Sequence, residues 1–217
     1  MYVQTVLTVI ALSYMIGSFP TAYLVGKLNG VNIFELGSGN MGTTNVLRTL
    51  GWFWGAMVFI VDIGKGIFAV WLGKEIAAMN GDVMSQASAG VISALAVVVG
   101  HNWSFFATII TGSIRGGKGA ATAGGTWIIM MPAVVIVIPM LVMLSVVALT
   151  RYMSLGVLVS TTTAALVIGL LVGMNELEPV YLLYWLVGVM VFYRHRDNIK
   201  RLLDGNERRV GEKVQTH

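Results

Sequence analysis

The chain has 217 residues, enough for one domain or two small ones. Hydrophobic residues make up 56% of it and charged residues only 11%, whereas soluble globular domains average about 45–50% and about 25%. A soluble fold of this size could not bury so much apolar surface, and a chain so poor in charge is not disordered. The composition therefore indicates a membrane protein.

The net charge of +4 does not indicate nucleic-acid binding. The basic residues are scattered or lie beside apolar runs, and they form no basic face with interleaved aromatic residues. Because the chain has no cysteine, disulfides, a thiolate nucleophile and cysteine-based metal sites are excluded.

The apolar runs predict an all-α membrane protein with about seven transmembrane helices and Gly-rich polar loops on its cytoplasmic face. A bilayer core needs about 20 residues of helix. The run 119–131 is short, so we expect a tilted or partly re-entrant helix, or one that continues past Pro132 and reduces the count to six. Residues 17–20 break the first run. The predicted spans are 3–25, 52–72, 83–99, 119–131, 133–149, 155–173 and 180–193.

The distribution of charge predicts the orientation. All of the 14 lysines and arginines except Lys65 and Lys74 fall in alternate loops or in the C-terminal tail. The opposite side carries Lys74 among acids that include Asp82. The positive-inside rule then places the C-terminus in the cytoplasm. We expect residues 1–193 to form one polytopic domain and residues 194–217 to form a basic cytoplasmic tail whose first part carries site residues.

The first loop on the predicted cytoplasmic face is rich in glycine and small polar residues. Glycine permits positive φ values, so successive backbone N–H groups can converge on an anion. Arg48 adds a planar guanidinium suited to phosphate. A flexible turn between helices has a similar composition, and we favour the anion site over that interpretation. The loop's candidate ligands are Gly37, Ser38, Gly39, Asn40, Gly42, Thr44, Asn45 and Arg48.

A second Gly-rich turn on the same face contains Gly116, Gly117 and Lys118. It resembles half of a nucleotide P-loop, but the Ser or Thr after the lysine and the preceding strand are missing. A turn that opens a helix favours phosphate, with Lys118 as a point charge. A lipid-facing basic loop is the alternative. Two such turns on one face suggest that two anionic groups are held close together.

Three further polar features have mainly structural interpretations. Asp62 and Lys65 share one face of the second span, where charges are costly, so we expect a structural ion pair; a substrate contact is the second interpretation. His101 and His195 lie at the cytoplasmic face, where a single histidine is more often a hydrogen-bonding residue than a catalyst. The sequence has no metal-binding histidine spacing, so we expect no metal and no cofactor.

Six short motifs follow one another along nearly the whole chain. Together they resemble the bacterial integral-membrane acyl-phosphate:glycerol-3-phosphate acyltransferase family. The resemblance implies acyl transfer from acyl phosphate to the 1-hydroxyl of glycerol 3-phosphate, giving lysophosphatidate and phosphate in phospholipid synthesis. The motifs are GSGNMGTTN with Arg48, DIGKG from Asp62, GH at 100–101, GGKGAAT from Gly116, RYMSL from Arg151 and RHRDNIKRL from Arg194.

The resemblance also implies roles for individual residues. Ser38 would place the reacting groups, while Arg48, Lys118 and His195 would contact the phosphate of glycerol 3-phosphate. The Gly-rich turns would hold the acyl phosphate, and Ser154 and Asn198 would complete the substrate site. The expected partners are these two substrates and membrane lipid, with no nucleic acid. The expected protein is a monomer in the bacterial inner membrane.

One region departs from the family pattern. The 14 residues between His101 and Gly116 are more than the family's usual spacing. Ser104 stands where a proline is usual, and Arg115 stands where a lysine is usual. The departure affects where His101 and the loop are expected to lie, whereas Lys118 still matches the family motif.

Two other functions remain as alternatives. One is a small transporter or flippase for a phosphate-bearing lipid or organophosphate, and the other is a paralogous acyltransferase with another donor. A transporter should place polar groups at mid-membrane. Here the polar groups are concentrated at one face, which favours the enzyme.

Overall fold

The structure is a computed structural model that describes residues 1–81 and 84–212. The regular structure in these ranges is helical, without a β-strand, as the apolar runs predict. Asp82, the predicted start of the third span at residue 83, and Lys213 lie outside the described residues. The helices are α1 Tyr2–Ser18, α2 Thr21–Leu28, α3 Thr43–Leu50, α4 Trp52–Met79, α5 Gln86–Asn102, α6 Phe105–Thr111, α7 Ala120–Met130, α8 Ala133–Thr150, α9 Met153–Gly173, the 3₁₀ helix Pro179–Leu183, α10 Tyr184–Arg194 and α11 Arg196–Leu203.

Five helical stretches of the described chain are long and apolar enough to cross a membrane. Two further apolar helices, Ala120–Met130 and Pro179–Arg194, are shorter than the about 20 residues that a bilayer core requires. The predicted count of seven spans therefore stays a prediction. The five stretches are Tyr2–Leu28, Trp52–Met79, Gln86–Thr111, Ala133–Thr150 and Met153–Gly173.

The breaks between helices lie where the sequence predicts them in two of three cases. The first span is interrupted between Ser18 and Thr21, at Pro20. Pro132 separates α7 from α8, so these two helices do not merge. The third span differs, because a capped break at Ser104 is followed by the apolar helix α6, which extends the span to Thr111. Much of the unusually long segment between His101 and Gly116 is thus helical.

Small and β-branched residues form the interior of the bundle, and large apolar residues cover its outside. Val97 and Ala69 are fully buried, whereas the side chain of Leu166 is 70% exposed. Scattered exposed leucines are ordinary in soluble proteins, but here exposed Leu, Ile, Phe and Trp side chains occur along most of the long helices. This distribution suits a protein surrounded by lipid.

Helix α7 packs closely against α4 through two glycines. A Cβ at Gly66 would lie 2.2 Å from the carbonyl oxygen of Thr122, and one at Gly125 would lie 2.1 Å from that of Ile63. Such contacts between small residues are typical of membrane helices, where close van der Waals packing drives association. The contact fixes the start of α7, and with it the loop that carries Lys118.

Candidate active site

A cavity of about 530 Å³ lies between α4, α7, α8, α9 and α10. One end is polar and is formed by both Gly-rich segments and the C-terminal region. The rest is mainly apolar and includes Phe59, Ile63, Trp127 and Ile168. The predicted site residues that line it are Ser38, Asn40, Gly42, Thr44, Asn45, Arg48, Lys118, Ser154, His195 and Asn198.

Asn45 organises the first Gly-rich loop. Its buried side chain accepts a hydrogen bond from the backbone N–H of Ser38 at 2.8 Å. Its amide nitrogen lies within 3.2 Å of three backbone carbonyl oxygens, those of Ile33, Leu36 and Asn40. Both polar atoms of Asn45 are therefore engaged within the loop, although the residue also lines the cavity. A role in shaping the loop fits this geometry better than direct donation to a substrate.

Two glycines give this loop its sharp turns. Gly37 and Gly39 have φ values of 60° and 66°, in the left-handed region that glycine adopts at little cost. Neither glycine lines the cavity. They shape the segment that presents Ser38 and Asn40 to the cavity, and their predicted contact with substrate stays a prediction.

Hydrogen bonds to residues of α5 and α10 hold the second Gly-rich turn in place. The N–H of Gly117 donates to the carbonyl oxygen of His101 at 2.9 Å. The guanidinium of Arg194 donates to the carbonyl oxygens of Gly116 and Gly117, at 3.0 and 2.8 Å. Neither glycine lines the cavity. The turn therefore presents Lys118 to the cavity, but not Gly116 or Gly117.

Lys118 is the central cation of the polar end. Its Nζ donates to Oδ1 of Asn198. Burial lowers the pKa of Lys118 from its ordinary value to about 8, with nearby Arg201 and Arg48 adding to the effect and Glu207 opposing it. The ammonium is charged at neutral pH and is the form suited to an anionic ligand.

His195 has a defined tautomer. Its Nδ1 lies 2.8 Å from the carbonyl oxygen of Val191, which can only accept, so Nδ1 carries the proton. Burial, together with the charge of Lys118, lowers the pKa of His195 to about 4. The imidazole is therefore neutral at physiological pH, and its Nε2 is a hydrogen-bond acceptor.

Glu207 is a site residue that the sequence does not reveal. Its buried carboxylate accepts hydrogen bonds from Asn198 Nδ2 at 2.8 Å, Arg201 Nε at 2.8 Å and Ser154 Oγ at 3.0 Å. Burial raises the pKa of this carboxyl, but these hydrogen bonds outweigh it, and the net effect is a pKa below the ordinary value. The sequence alone does not distinguish Glu207 from Asp204, a nearby acid in the same tail.

The polar end has an excess of positive charge. Besides Arg48 and Lys118, which the sequence predicts, Arg201 and Arg208 also line it. The described lining residues include two acids, Glu207 at this end and Asp62, which is paired with Lys65. Arg201 and Glu207 form an ion pair at 2.8 Å. The remaining charge suits ligands that carry phosphate groups.

A buried ion pair lies beside the cavity. Lys65 Nζ is 2.7 Å from Asp62 Oδ1 and donates to the carbonyl oxygen of Phe19 at 2.6 Å, which confirms the predicted pair. Asp62 and His101 also line the cavity. His101 Nδ1 lies 3.8 Å from Asp62 Oδ1, beyond hydrogen-bond distance. The contacts join α4 to the break after α1.

The residues that the structure describes include no cluster of three or more His, Asp or Glu side chains able to hold a metal ion. The expectation of a reaction without metal or cofactor stays a prediction.

Comparisons with known proteins agree with these features. The sequence model of the family described as glycerol-3-phosphate acyltransferase matches residues 7–205. A glycerol-3-phosphate acyltransferase from Carboxydothermus hydrogenoformans is 41% identical over 201 residues, which is 92% of this chain and 94% of the relative. One from Clostridioides difficile is 37% identical and covers 99% of this chain and 100% of the relative.

Solved structures give the same result. The crystal structure of PlsY, an integral membrane glycerol 3-phosphate acyltransferase, in its glycerol 3-phosphate form has a TM-score of 0.79 and 34% sequence identity, and covers 95% of this chain and 96% of that one. Its lysophosphatidic acid form has a TM-score of 0.77. The chain belongs to the glycerol-3-phosphate acyltransferase family.

Proposed function

We propose that this family member transfers an acyl group from acyl phosphate to the 1-hydroxyl of glycerol 3-phosphate. The products are 1-acylglycerol 3-phosphate (lysophosphatidate) and inorganic phosphate, and the protein acts as a monomer in the bacterial cytoplasmic membrane. The observation that carries the proposal is that one cavity combines a cationic polar end with a mainly apolar remainder, which we call the apolar tunnel. Both substrates combine a phosphate with a group that such a cavity accommodates.

The polar end accounts for the phosphates of the two substrates. Lys118 and Arg48 line it together with Arg201 and Arg208, and each can donate charge-assisted hydrogen bonds to phosphate oxygens. The Ser38 segment lies at the same end and positions the reacting groups. Four cations exceed the charge that one carboxylate balances, which supports two anions bound side by side.

The apolar tunnel accounts for the acyl chain. Along α9 its lining runs from Ser154 through Val157 and Ala164 to Ile168, a distance of about 21 Å at the helical rise of about 1.5 Å per residue. Facing residues on α10 include Val191 and Gly188. Each methylene buried in such a tunnel contributes about 0.8 kcal/mol to binding. A lysophosphatidic acid form of the related PlsY supports a site that holds both phosphate and chain.

Acyl phosphate is an activated mixed anhydride, so positioning supplies much of the rate enhancement. The glycerol 3-phosphate hydroxyl attacks the carbonyl carbon, a new C–O ester bond forms, and the bond between the acyl carbon and the phosphate oxygen breaks. The departing phosphate oxygen takes the hydroxyl proton, while Lys118 and Arg48 stabilise the developing negative charge.

His195 orients the hydroxyl in this scheme. Because its Nδ1–H is bound to Val191, its Nε2 can accept a hydrogen bond from the attacking hydroxyl but cannot donate one to phosphate. The geometry therefore favours a contact with the glycerol moiety over the phosphate contact that the family resemblance implies. A protein base at His195 would instead give a limb in the pH–rate profile that His195→Ala abolishes without loss of substrate affinity.

The donor is tested with purified protein and glycerol 3-phosphate. Acyl phosphate and acyl-CoA of the same chain length are supplied in parallel, and lysophosphatidate is measured. We expect turnover with acyl phosphate. Turnover with acyl-CoA alone would contradict the proposed donor and would favour the paralogous acyltransferase.

A further inference from the structure

The residues that follow α11 turn back onto the polar end of the cavity. We call residues 206–212 the C-terminal strap. The strap supplies Glu207, whose carboxylate holds Ser154 and Asn198. Because Asn198 accepts the hydrogen bond of Lys118, the strap is connected to the central cation through two contacts.

The strap also holds a second cation. The carbonyl oxygen of Arg208 accepts a hydrogen bond from Arg48 Nη2 at 3.1 Å. The backbone of the strap thus orients a guanidinium on α3, while the side chain of its Glu207 orients groups on α9 and α11. Displacing the strap would disturb Arg48 and Lys118 together.

Arg151 clamps the far end of the strap. Its carbonyl oxygen accepts from the N–H of Val210 at 2.7 Å, and its Nη2 donates to the carbonyl oxygen of Val210 at 2.8 Å. Arg151 ends α8 with a φ of 64°, a left-handed conformation that is uncommon for a residue other than glycine. The left-handed residue thus joins the end of α8 to the strap through its carbonyl oxygen.

We propose that Arg151 is a positioning residue, which acts through Val210 to hold Glu207 and the Arg208 carbonyl in register with the site. Arg151 itself does not line the cavity. This inference deepens the proposed function and rests on it for its kinetic readout. It assigns a role to an arginine that lies in a sequence motif but outside the predicted site.

Two variants release the strap by different routes. Arg151→Ala removes the guanidinium bond, and Val210→Pro removes the N–H bond while leaving Arg151 in place. Each should raise the KM for glycerol 3-phosphate about tenfold, the size expected for losing one charge-assisted contact at the phosphate. The KM for acyl phosphate and the thermal midpoint in detergent should change little. Arg151→Lys, which keeps one donor, should restore part of the affinity.

Arg196 offers a matched control. Its guanidinium also donates to a backbone carbonyl, that of Tyr193 at 3.2 Å, but away from the cavity lining. Arg196→Ala should leave both KM values near those of the wild type. In the double variant Arg151→Ala/Val210→Pro, the KM for glycerol 3-phosphate should be at most about twofold above that of the more impaired single variant. The effects should not multiply, because both changes release the same segment. Multiplied effects, or an unchanged glycerol 3-phosphate KM in Arg151→Ala, would overturn the inference.

A second readout needs no turnover. Trypsin should cleave after the exposed Arg208 faster in Arg151→Ala and Val210→Pro than in the wild type, and at the wild-type rate in Arg196→Ala. Cleavage after Arg209 is not compared, because trypsin does not cleave before the proline of Val210→Pro. Equal cleavage rates in all four proteins would refute the clamp, whatever the donor proves to be. Faster cleavage together with an inactive wild-type protein would refute the proposed function and leave the clamp in place.

Discussion

At the scale of single residues, Lys118 is the side chain on which the proposed function depends most. It is half-buried, it lies just before the start of α7 outside the packed helix interior, and its ammonium is held by Asn198 at the polar end. Lys118→Ala should therefore fold normally, yet leave a bound phosphate without a charge-assisted partner. Such a partner contributes about 1.5–3 kcal/mol, so kcat/KM should fall about ten- to a hundredfold.

The control for this variant is Lys74→Ala. Lys74 lies near the end of α4 that is remote from the cavity lining, so its removal should not change the kinetics. Lys118→Arg should recover only part of the activity, because a planar fork does not replace a compact charge in a close turn. Full turnover of Lys118→Ala at limiting glycerol 3-phosphate would show that this phosphate binds elsewhere.

The lowered pKa of Lys118 predicts a pH dependence. The ammonium is the active form, so kcat/KM should be maintained from about pH 6 to pH 8 and should fall as the pH rises through about 8. His195, with a pKa near 4, should add no limb between pH 5 and 8. A limb near pH 6 belongs to the substrate phosphate, whose second pKa is about 6. It should therefore persist in His195→Ala, and loss of that limb would contradict the role given to His195.

The sequence predicts which residues form the polar end more completely than it predicts the contacts that they make. Ser38, Arg48 and Lys118 stand out because glycines and small polar residues surround them in an apolar chain. Glu207 does not stand out, because an acid in a basic tail normally faces solvent. Its burial follows from a chain reversal after α11, a long-range feature that local composition does not encode.

At the scale of helices, the packing of α7 on α4 depends on glycine. Gly66→Ala would bring a methyl group against the Thr122 carbonyl, and helix backbones cannot separate without displacing the Lys118 loop. We expect a loss of about 1–3 kcal/mol in the free energy of unfolding. Gly64→Ala, on the same helix with no atom within 4 Å of its Cβ, should be nearly neutral. Equal stability of the two variants in detergent would argue against the close contact.

The tunnel between α9 and α10 predicts control of acyl-chain length. Gly188 leaves space opposite Thr161, and a leucine there would fill part of the tunnel. Gly188→Leu should reduce kcat/KM for long acyl phosphates by about fourfold for each excluded methylene, and it should spare short ones. Gly173→Leu, at the end of α9 and outside the tunnel lining, is the control. An unchanged chain-length profile in Gly188→Leu would place the acyl chain outside the tunnel.

The long apolar helices follow from the apolar runs of the sequence, but the short helices α3, α6 and α11 lie where the sequence predicts loops or the tail. The third span is an example. The sequence predicts a polar loop directly after the third span, but Ser104 caps a new apolar helix there instead. Its side chain accepts from the N–H of Ala107 and donates to the carbonyl oxygen of Ser18. A serine at this point of an apolar run is compatible with a polar loop or with the cap of a new helix. The hydrogen bond to Ser18 on α1 decides which of the two forms.

At the scale of the whole molecule, the polar groups gather at one end of an otherwise apolar bundle. This agrees with the charge distribution, which predicts that the Gly-rich loops and the tail share the cytoplasmic side. Because the natural chain has no cysteine, single-cysteine variants report topology directly. A cysteine at Asn80 should react with an impermeant reagent from outside the cell, and one at Gln215 should not. The reverse pattern would contradict the predicted orientation.

The central claim is that the cavity performs acyl transfer rather than transport, and sealed vesicles containing the purified protein test it most directly. Radiolabelled glycerol 3-phosphate and acyl phosphate are added outside, and both labelled lysophosphatidate and released phosphate are measured. We predict that the label enters the lipid fraction as lysophosphatidate, with phosphate released in equal amount, and that Lys118→Ala loses most of both products. Unmodified glycerol 3-phosphate accumulating inside the vesicles, without lysophosphatidate or phosphate release, would contradict the account and support a transporter.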